Sequence, residues 1–414
     1  MSLPPLRPIL SALRRHPLMP ALIAAQICIA CAILLNAAFE LQRQAAPLLV
    51  DDGIARGRLL LVDQLVSREG MWRPAQIRAG ADALRALPGV EAVAPALGLP
   101  MKQSMSFVLR TRSPSGVVAS ASGFVGEGLR EALGLELVRG RDFAPEEHFD
   151  IDLSSGGIDL PPGTPAILTE ALARHYFPDG DALGGRLEQA DGAGHLVVVG
   201  VVRHLLRYQL DALDGGQAEF SMLLPARIVS VPLLTYAVRA DPAQRDQVRE
   251  AALAALSREF ETSRMPGLEA SVDAYEPLRA AAFRPRRAAL WLLGTVIAVM
   301  SVVTAVGIAG LSAYWVEQRR RTIGIRRALG ARRGDIVRYF LAENAVVVGA
   351  GLLPGLAAAY AINQWLMREY ELARLPLAYL PLGALALWLL GLCAAWGPAR
   401  RAAAVAPAVA ARGP

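Results

Sequence analysis

Lysine is almost missing from this 414-residue sequence. Its single lysine, Lys102 in "LPMKQSM", has no glycine-rich turn beside it. A phosphate-cradling P-loop needs such a turn ending in Lys-Ser/Thr, so these residues encode no standard P-loop ATPase. Cysteine is scarce as well. Cys28, Cys31 and Cys393 all lie in apolar runs, leaving no disulfide to support the long segment 41–287. Cys28-x-x-Cys31 has a redox spacing, but redox chemistry requires an exposed, electropositive setting, and inside an apolar helix the pair reads as packing. The five histidines (His16, His148, His175, His195, His204) show no metal-ligand spacing. "SASG" at 120–123 lacks the strand-turn-helix setting of a nucleophile elbow. No catalytic set, cofactor site or metal site is therefore expected, and the chain is not expected to be an enzyme itself.

Apolar residues are abundant instead, at 54%, with a mean hydropathy of +0.35. Four charge-free runs supply the excess: 16–39, 288–316, 344–367 and 375–399. Each exceeds the roughly 20 residues needed to span a hydrocarbon core about 30 Å thick. Four transmembrane helices follow, at 17–40, 288–316, 344–367 and 375–399. Arg14 and Arg15 precede the first run in the manner of a signal peptide, but its end lacks a small-x-small cleavage site, so a retained anchor is expected. Arginine sets the orientation. Arg7, Arg14 and Arg15, the eight arginines of 317–343, and Arg400, Arg401 and Arg412 all fall on one side, which positive-inside topology makes cytoplasmic. The segment 41–287 holds 27 basic and 31 acidic residues. The net +6 thus reflects topology, and nucleic acid is not expected as a partner.

The segment 41–285 is long enough for one large or two small domains. "QIRAGADALRALPGVEAVAPALGL" reads as a helix ending near Pro88-Gly89, then a strand. "TPAILTEALARHYFP" reads as a strand and a short helix stopped by Pro178, and "GHLVVVGVVRHLL" is the strongest strand signal. "LLTYAVRADPAQRDQVREAALAALSREF" gives a strand, a turn at Asp241-Pro242 and a helix with Val248, Ala251, Ala252 and Ala255 on one stripe. Such alternation indicates an α/β or α+β domain. Residues 148–165 read as a Gly/Ser/Pro-rich surface loop. "DAYEPLRAAAFRPRRAA" reads as a helix running into the second span after Pro285.

Residues 317–343 concentrate charge against lipid-length apolar runs. Ile323, Ile325 and Leu329 are apolar among arginines, which predicts an amphipathic helix at the membrane surface. Gly330 ends it, and Asp335 suits the first turn of the next helix, whose apolar face begins with Ile336, Val337, Phe340 and Leu341. The product is a helix-break-helix elbow. Its arginine surplus fits either anionic lipid or an acidic, cleft-bearing protein partner. At the N-terminus, Leu6, Ile9, Leu10 and Leu13 predict an amphipathic cytoplasmic helix over 1–16. Gly351 and Gly355 sit in an apolar run with no preceding strand, so they read as helix packing rather than dinucleotide binding.

The elbow "RRRTIGIRRALGARRGDIVRYFLAEN" resembles the cytoplasmic signature of the FtsX/MacB-type permease family of ABC transporters. The stretch "PARRAAAVAPAVAAR", which leads into the cytoplasmic tail 400–414, is similar to the family's C-terminal element. "LELVRGRDF", "PAILTEALARHYFPDGDALGGRLE" and "HLVVVGVV" resemble its MacB-type periplasmic domain. The resemblance implies an α-helical membrane protein with one-plus-three transmembrane helices and a large α/β (α+β) periplasmic domain inserted between the first and second. It implies a bacterial inner-membrane permease subunit, cytoplasmic at both termini, working as a homodimer or paired permease. A separate cytoplasmic ABC ATPase would drive export of amphiphilic molecules: antimicrobial peptides, macrolide-like compounds, siderophores or lipoproteins. A periplasmic adaptor and outer-membrane channel are possible further partners, besides membrane lipids. The alternative within the family is a signalling module that activates a periplasmic partner such as a cell-wall hydrolase. The matching positions imply ATPase coupling through Arg319, Ile323, Gly324, Ile325, Arg326, Arg327, Leu329, Gly330 and Asp335. Thr322, Ala406 and Val409 depart from the pattern, standing where relatives often carry acids.

Overall fold

The computed structural model describes residues 18–102, 104–155, 158, 160–178, 180–190, 194–208, 217–370 and 374–404. The amphipathic segment expected over 1–16 and the tail positions Ala406, Val409 and Arg412 lie outside the described residues. The chain divides into two compact units, one formed by residues 46–285 and the other by residues 1–45 with 286–414.

Helix α1 (Leu18–Leu49) opens the described chain, and the inserted unit follows. Its elements are β1 (Leu59–Val66), α2 (Pro74–Arg85), β2 (Val90–Pro95), β3 (Phe107–Arg112), β4 (Val118–Val125), α3 (Leu129–Leu133), β5 (Leu137–Gly140), β6 (Phe149–Asp152), β7 (Thr164–Thr169) and α4 (Glu170–Tyr176). They continue with β8 (Arg186–Gln189), β9 (His195–Val202), β10 (Ser221–Leu224), β11 (Ala226–Ser230), β12 (Leu233–Ala240), α5 (Arg245–Glu259), β13 (Ser271–Ala274) and α6 (Tyr275–Ala282).

One sheet is antiparallel in the order β13-β1-β12-β2. The run "LLLV" that opens β1 is apolar on both sides of the pleat because both faces are buried. Leu60 and Val62 join Ile77, Leu84, Val248 and Leu256 of α2 and α5 in one core, while Leu59 and Leu61 face Phe124, Tyr208 and Tyr275 in another. Two large buried side chains find partners for their polar tips. Trp72 Nε1 donates to the Leu65 carbonyl at 2.8 Å, and the Tyr236 hydroxyl donates to that of Ile77 at 2.8 Å. The second sheet runs β9-β7-β10-β4-β3-β8 and closes through pairing of β8 with β9, with β5 added along β9. Closure leaves few open edges.

Three local expectations meet differences. The segment 148–165 is not all loop, because β6 pairs in parallel with β11, Phe149 opposite Ala226. The stripe on α5 buries Val248, Ala252, Ala255 and Leu256, while Ala251 is half-buried. The helix leading out of the inserted unit is broken at Phe283. Phe283 is buried, with the Arg279 guanidinium 4.9 Å from its ring centroid, and packing at this side chain holds the break.

Beyond it lie α7 (Arg284–Gln318), α8 (Arg320–Ala328), α9 (Arg333–Tyr370) and α10 (Tyr379–Ala404). Helices α1, α7, α9 and α10 are long and apolar enough to cross a membrane. They overrun the charge-free runs because intrahelical hydrogen bonding continues through polar flanks. Ile23, Ile27 and Leu34 of α1 form the centre of the helical unit with Ile308 of α7, Val348 and Leu352 of α9, and Leu387 of α10. A Cβ added at Gly351 would lie 2.5 Å from the Ala24 carbonyl oxygen, and one at Gly355 would lie 2.7 Å from Cys31 Cβ. Both glycines therefore let α9 approach α1 closely. Cys28 and Cys31 are unpaired, and the latter is buried.

Candidate functional site

The elbow is built by two helix ends and the packing beneath them. The sequence of α8, "RRTIGIRRA", is a poor helix former, since it contains a glycine and three β-branched residues. Its end is specified more strongly. Gly330, at φ +98°, takes a left-handed conformation, its N–H donating to the Arg327 carbonyl and that of Ala331 to the Arg326 carbonyl. This double bond pattern is the Schellman stop. Helix α9 starts on the other side. Asp335 in its first turn accepts the Arg332 backbone N–H at 3.1 Å and the Arg338 guanidinium at 2.6 Å. A carboxylate there also complements the positive helix end.

Underneath, Ile323 of α8 is buried with Val316 of α7, Ile336 and Phe340 of α9, and Ala399, Ala402 and Ala403 of α10. Gly324 is buried beside it. Residues two apart on a helix project on nearly opposite faces, so Ile325 is turned outward, 53% exposed, and Leu329 at the C-cap is 82% exposed. The three apolar residues of the elbow thus divide. Ile323 holds the helix down, and Ile325 and Leu329 face away from the core. The arginines divide too. Arg319 donates to Glu343 Oε1 at 2.8 Å, and Arg320 to Glu317 at 3.0 Å. The Arg326 guanidinium stacks 4.7 Å from the Tyr339 ring centroid, joining α8 to α9. Arg327 is half-buried on α8. Arg321, Arg332 and Arg333 are exposed, with no salt-bridge partner among the described residues. The surface that results is apolar at two points and cationic around them.

Three features of the elbow were not singled out from sequence. Glu343 is 1% exposed and pairs across to Arg319, while Asn344 accepts from Ser312 Oγ at 3.1 Å. Trp315 lies under the Arg319 guanidinium at 4.6 Å. The available signal was polar residues at the start of an apolar run.

In the inserted unit, a shallow cleft of about 420 Å³ is lined by Phe149, Pro161, Pro165, Val197 and Val199, with Arg141 and Glu147 among its walls. Two hydrogen bonds, at 2.6 and 2.7 Å, join those charges, and the Arg141 guanidinium holds the Glu147 carboxyl down at about 2. Four histidines lie among the described residues, each with its own neighbour. His204 Nδ1 lies 2.5 Å from Glu219, whose carboxyl burial pushes upward. His148 meets the Ala144 carbonyl, His195 meets Arg186, and His175 stacks on Phe220. Among the described residues no three His, Cys, Asp or Glu side chains gather as a metal site would require.

Known proteins resemble the chain in both units. The MacB-like periplasmic core domain matches residues 21–255, and the FtsX-like permease C-terminal domain matches residues 294–407. The macrolide export ATP-binding/permease protein MacB of Chromobacterium violaceum is 27% identical over 302 residues, 68% of this chain and 42% of the relative. The pyoverdine export ATP-binding/permease protein PvdT of Pseudomonas aeruginosa is 37% identical over 120 residues, 29% of this chain and 18% of the relative. The chain therefore spans less than half the length of these relatives. Among solved structures, the periplasmic region of MacB from Actinobacillus actinomycetemcomitans covers 58% of this chain and 98% of its own, with 12% identity and a TM-score of 0.35. With its inserted α/β domain and its one-plus-three membrane helices, the chain belongs to the MacB-type branch of the FtsX-like ABC transporter permease family.

Proposed function

We propose that the chain is an export permease whose elbow receives a nucleotide-hydrolysing subunit and passes its motion to the inserted domain. The carrying observation is the outward pair Ile325 and Leu329, exposed on a helix whose other face is buried and whose end is fixed by Gly330. Lipid alone requires positive charge at such a place. A partner with an acidic rim and an apolar cleft uses both the charge and the two side chains. These 414 residues carry no P-loop, so the hydrolysing site lies outside them.

In this account two copies of the chain, or a pair of related ones, flank the ATPase pair. Closure of the ATPases displaces the elbows, and the long membrane helices carry that displacement as a hinged or rigid-body motion. The arginine-rich side faces the cytoplasm, in keeping with positive-inside topology, and the inserted domain faces the periplasm of a bacterial inner membrane. Amphiphilic cargo fits this arrangement, and the relatives named above are exporters of a macrolide and of pyoverdine.

The experiment is Leu329→Asp in the full-length protein, expressed in its native membrane. Membrane abundance is expected to be unchanged, because Leu329 contributes little to the core. Recovery of a co-purifying P-loop subunit, and vanadate-sensitive ATP hydrolysis with it, is expected to fall at least about tenfold, the scale of a lost interface anchor. Normal recovery and hydrolysis in a correctly inserted variant would defeat the proposal.

A further inference from the structure

Glu343 is the one buried carboxylate in the helical unit among the described residues. An ionised side chain beside lipid-length helices is costly unless paired, and such a residue marks a working part of a membrane protein. Its partner, Arg319, occupies the single position between the end of α7 and the start of α8. The Arg319 guanidinium makes two contacts there, bonding Glu343 of α9 at 2.8 Å and stacking on Trp315 of α7 at 4.6 Å. One residue further on, Asn344 adds a second tie between the same helices through Ser312, and its own amide donates to the Phe340 carbonyl at 3.1 Å.

What lies behind this joint is pinned. The Gln26 amide of α1 donates to the Val303 and Thr304 carbonyls of α7, that of Asn36 to the Ala359 carbonyl of α9, and Trp388 Nε1 of α10 to the Ala345 carbonyl. Interhelical hydrogen bonds of this kind fix register where no hydrophobic force holds helices together. Between α7 and α9 the chain therefore breaks twice, at Arg319 and at Leu329–Arg332, and the residue of the first break is the one tied to Glu343.

We infer that Glu343 is a positioning residue for the elbow: through Arg319 it fixes the break between α7 and α8 against α9, so that force applied at Ile325 and Leu329 moves the pinned helices instead of bending the break. The functional consequence rests on the docking proposal above, while the geometric part does not.

Two readouts on the full-length protein in nanodiscs separate these parts. Hydrogen exchange over residues 320–328 is expected to rise at least about tenfold in Glu343→Gln, as loss of a charge-assisted bond predicts, with exchange over 379–404 unchanged. The neutral pair Arg319→Gln/Glu343→Gln removes the unpaired charge, so a purely structural role predicts that it restores both melting temperature and elbow protection. A positioning role predicts recovery of the melting temperature alone, with exchange at 320–328 still fast. In preparations carrying a co-purified ATPase, hydrolysis per bound ATPase is expected to drop at least about tenfold in both variants while the amount bound is retained. Unchanged exchange at 320–328, protection restored in the double variant, or full hydrolysis per bound ATPase would each overturn the inference. If no ATPase accompanies even the unsubstituted protein, the docking proposal fails, and hydrogen exchange alone decides the role of Glu343.

Discussion

Each unit of this molecule buries a carboxylate among basic partners, and two of these, Asp52 and Glu343, are held very differently. Asp52 of the inserted unit is fully buried and meets three partners: it accepts hydrogen bonds from Arg56 Nε at 2.9 Å and the Tyr275 hydroxyl at 2.8 Å, and it forms an ion pair with the Arg279 guanidinium at 2.9 Å. Glu343 of the helical unit is equally buried and has, among the described residues, one ion-pair partner, Arg319. Through Tyr275 and Arg279, Asp52 ties the segment just after α1 to α6, the last helix before α7, and so fixes where the chain enters and leaves its domain. At Glu343 the carboxylate itself is held by a single ion pair. A site with three partners tolerates no rearrangement without stranding a charge, whereas a single pair can be kept or broken as one event. The Asp52 site is built to stay as it is, whereas the Glu343 carboxylate at the elbow is held by one ion pair.

The largest effect should come from the over-determined site. Asp52→Ala leaves two guanidinium groups without their buried counter-charge, and a loss of about 3–5 kcal/mol is expected. Thermal unfolding of the full-length protein, followed by Trp fluorescence, reads this, and a shift no larger than that of a surface substitution would remove the contrast. Next comes the helical packing. Gly355→Leu drives a side chain into Cys28 and Cys31 and should cost about 1–3 kcal/mol through overpacking. Disulfide trapping between cysteines introduced on α1 and α9 should weaken in that background. At the elbow, Gly330→Ala meets no neighbouring atom, so its cost is the left-handed backbone alone, about 1–2 kcal/mol. Faster local exchange at 326–331, with the melting of the inserted unit unaltered, is the expected signature.

The smallest effect concerns acid. Glu147 has its carboxyl lowered from 4.5 to about 2 by the Arg141 hydrogen bonds. A depressed carboxyl contributes stability that is present above the unfolded value and lost as pH falls through the folded one. The melting temperature of the unsubstituted protein should therefore decline between pH 4.5 and 2 more steeply than that of Glu147→Gln, with parallel curves above pH 5. Parallel curves throughout would show that this pair, at the surface, contributes nothing measurable.

Much of the architecture was legible in residues. Lipid-length apolar runs announced four helices, and the Gly330 and Asp335 positions marked the elbow's two helix ends. Less visible were features set by distant partners. β4, "VASASGFV", is rich in small residues with weak strand preference and is a strand because β3 and β10 pair with it on either side. β6 hides in a stretch with turn composition because pairing with β11 fixes it. In the elbow, the sequence displayed eight arginines without showing which would be spent internally. Arg319 finds Glu343 across 24 positions because α7 stops at Gln318, and that break has no glycine or proline to advertise it. The outward turn of Ile325 was available from spacing alone, since it lies two residues from Ile323. The exposure of Leu329 depended on where the helix ended.

The most direct measurement places a photo-crosslinking phenylalanine analogue at Leu329 in native membranes and identifies the adduct by mass spectrometry. The account predicts one dominant product, a peptide from a P-loop ATPase subunit, formed at full membrane abundance and lost when Arg326 and Arg333 are reversed in charge. Adducts to phospholipid alone, with no protein partner at any illumination time, would contradict it and leave the elbow as a membrane anchor.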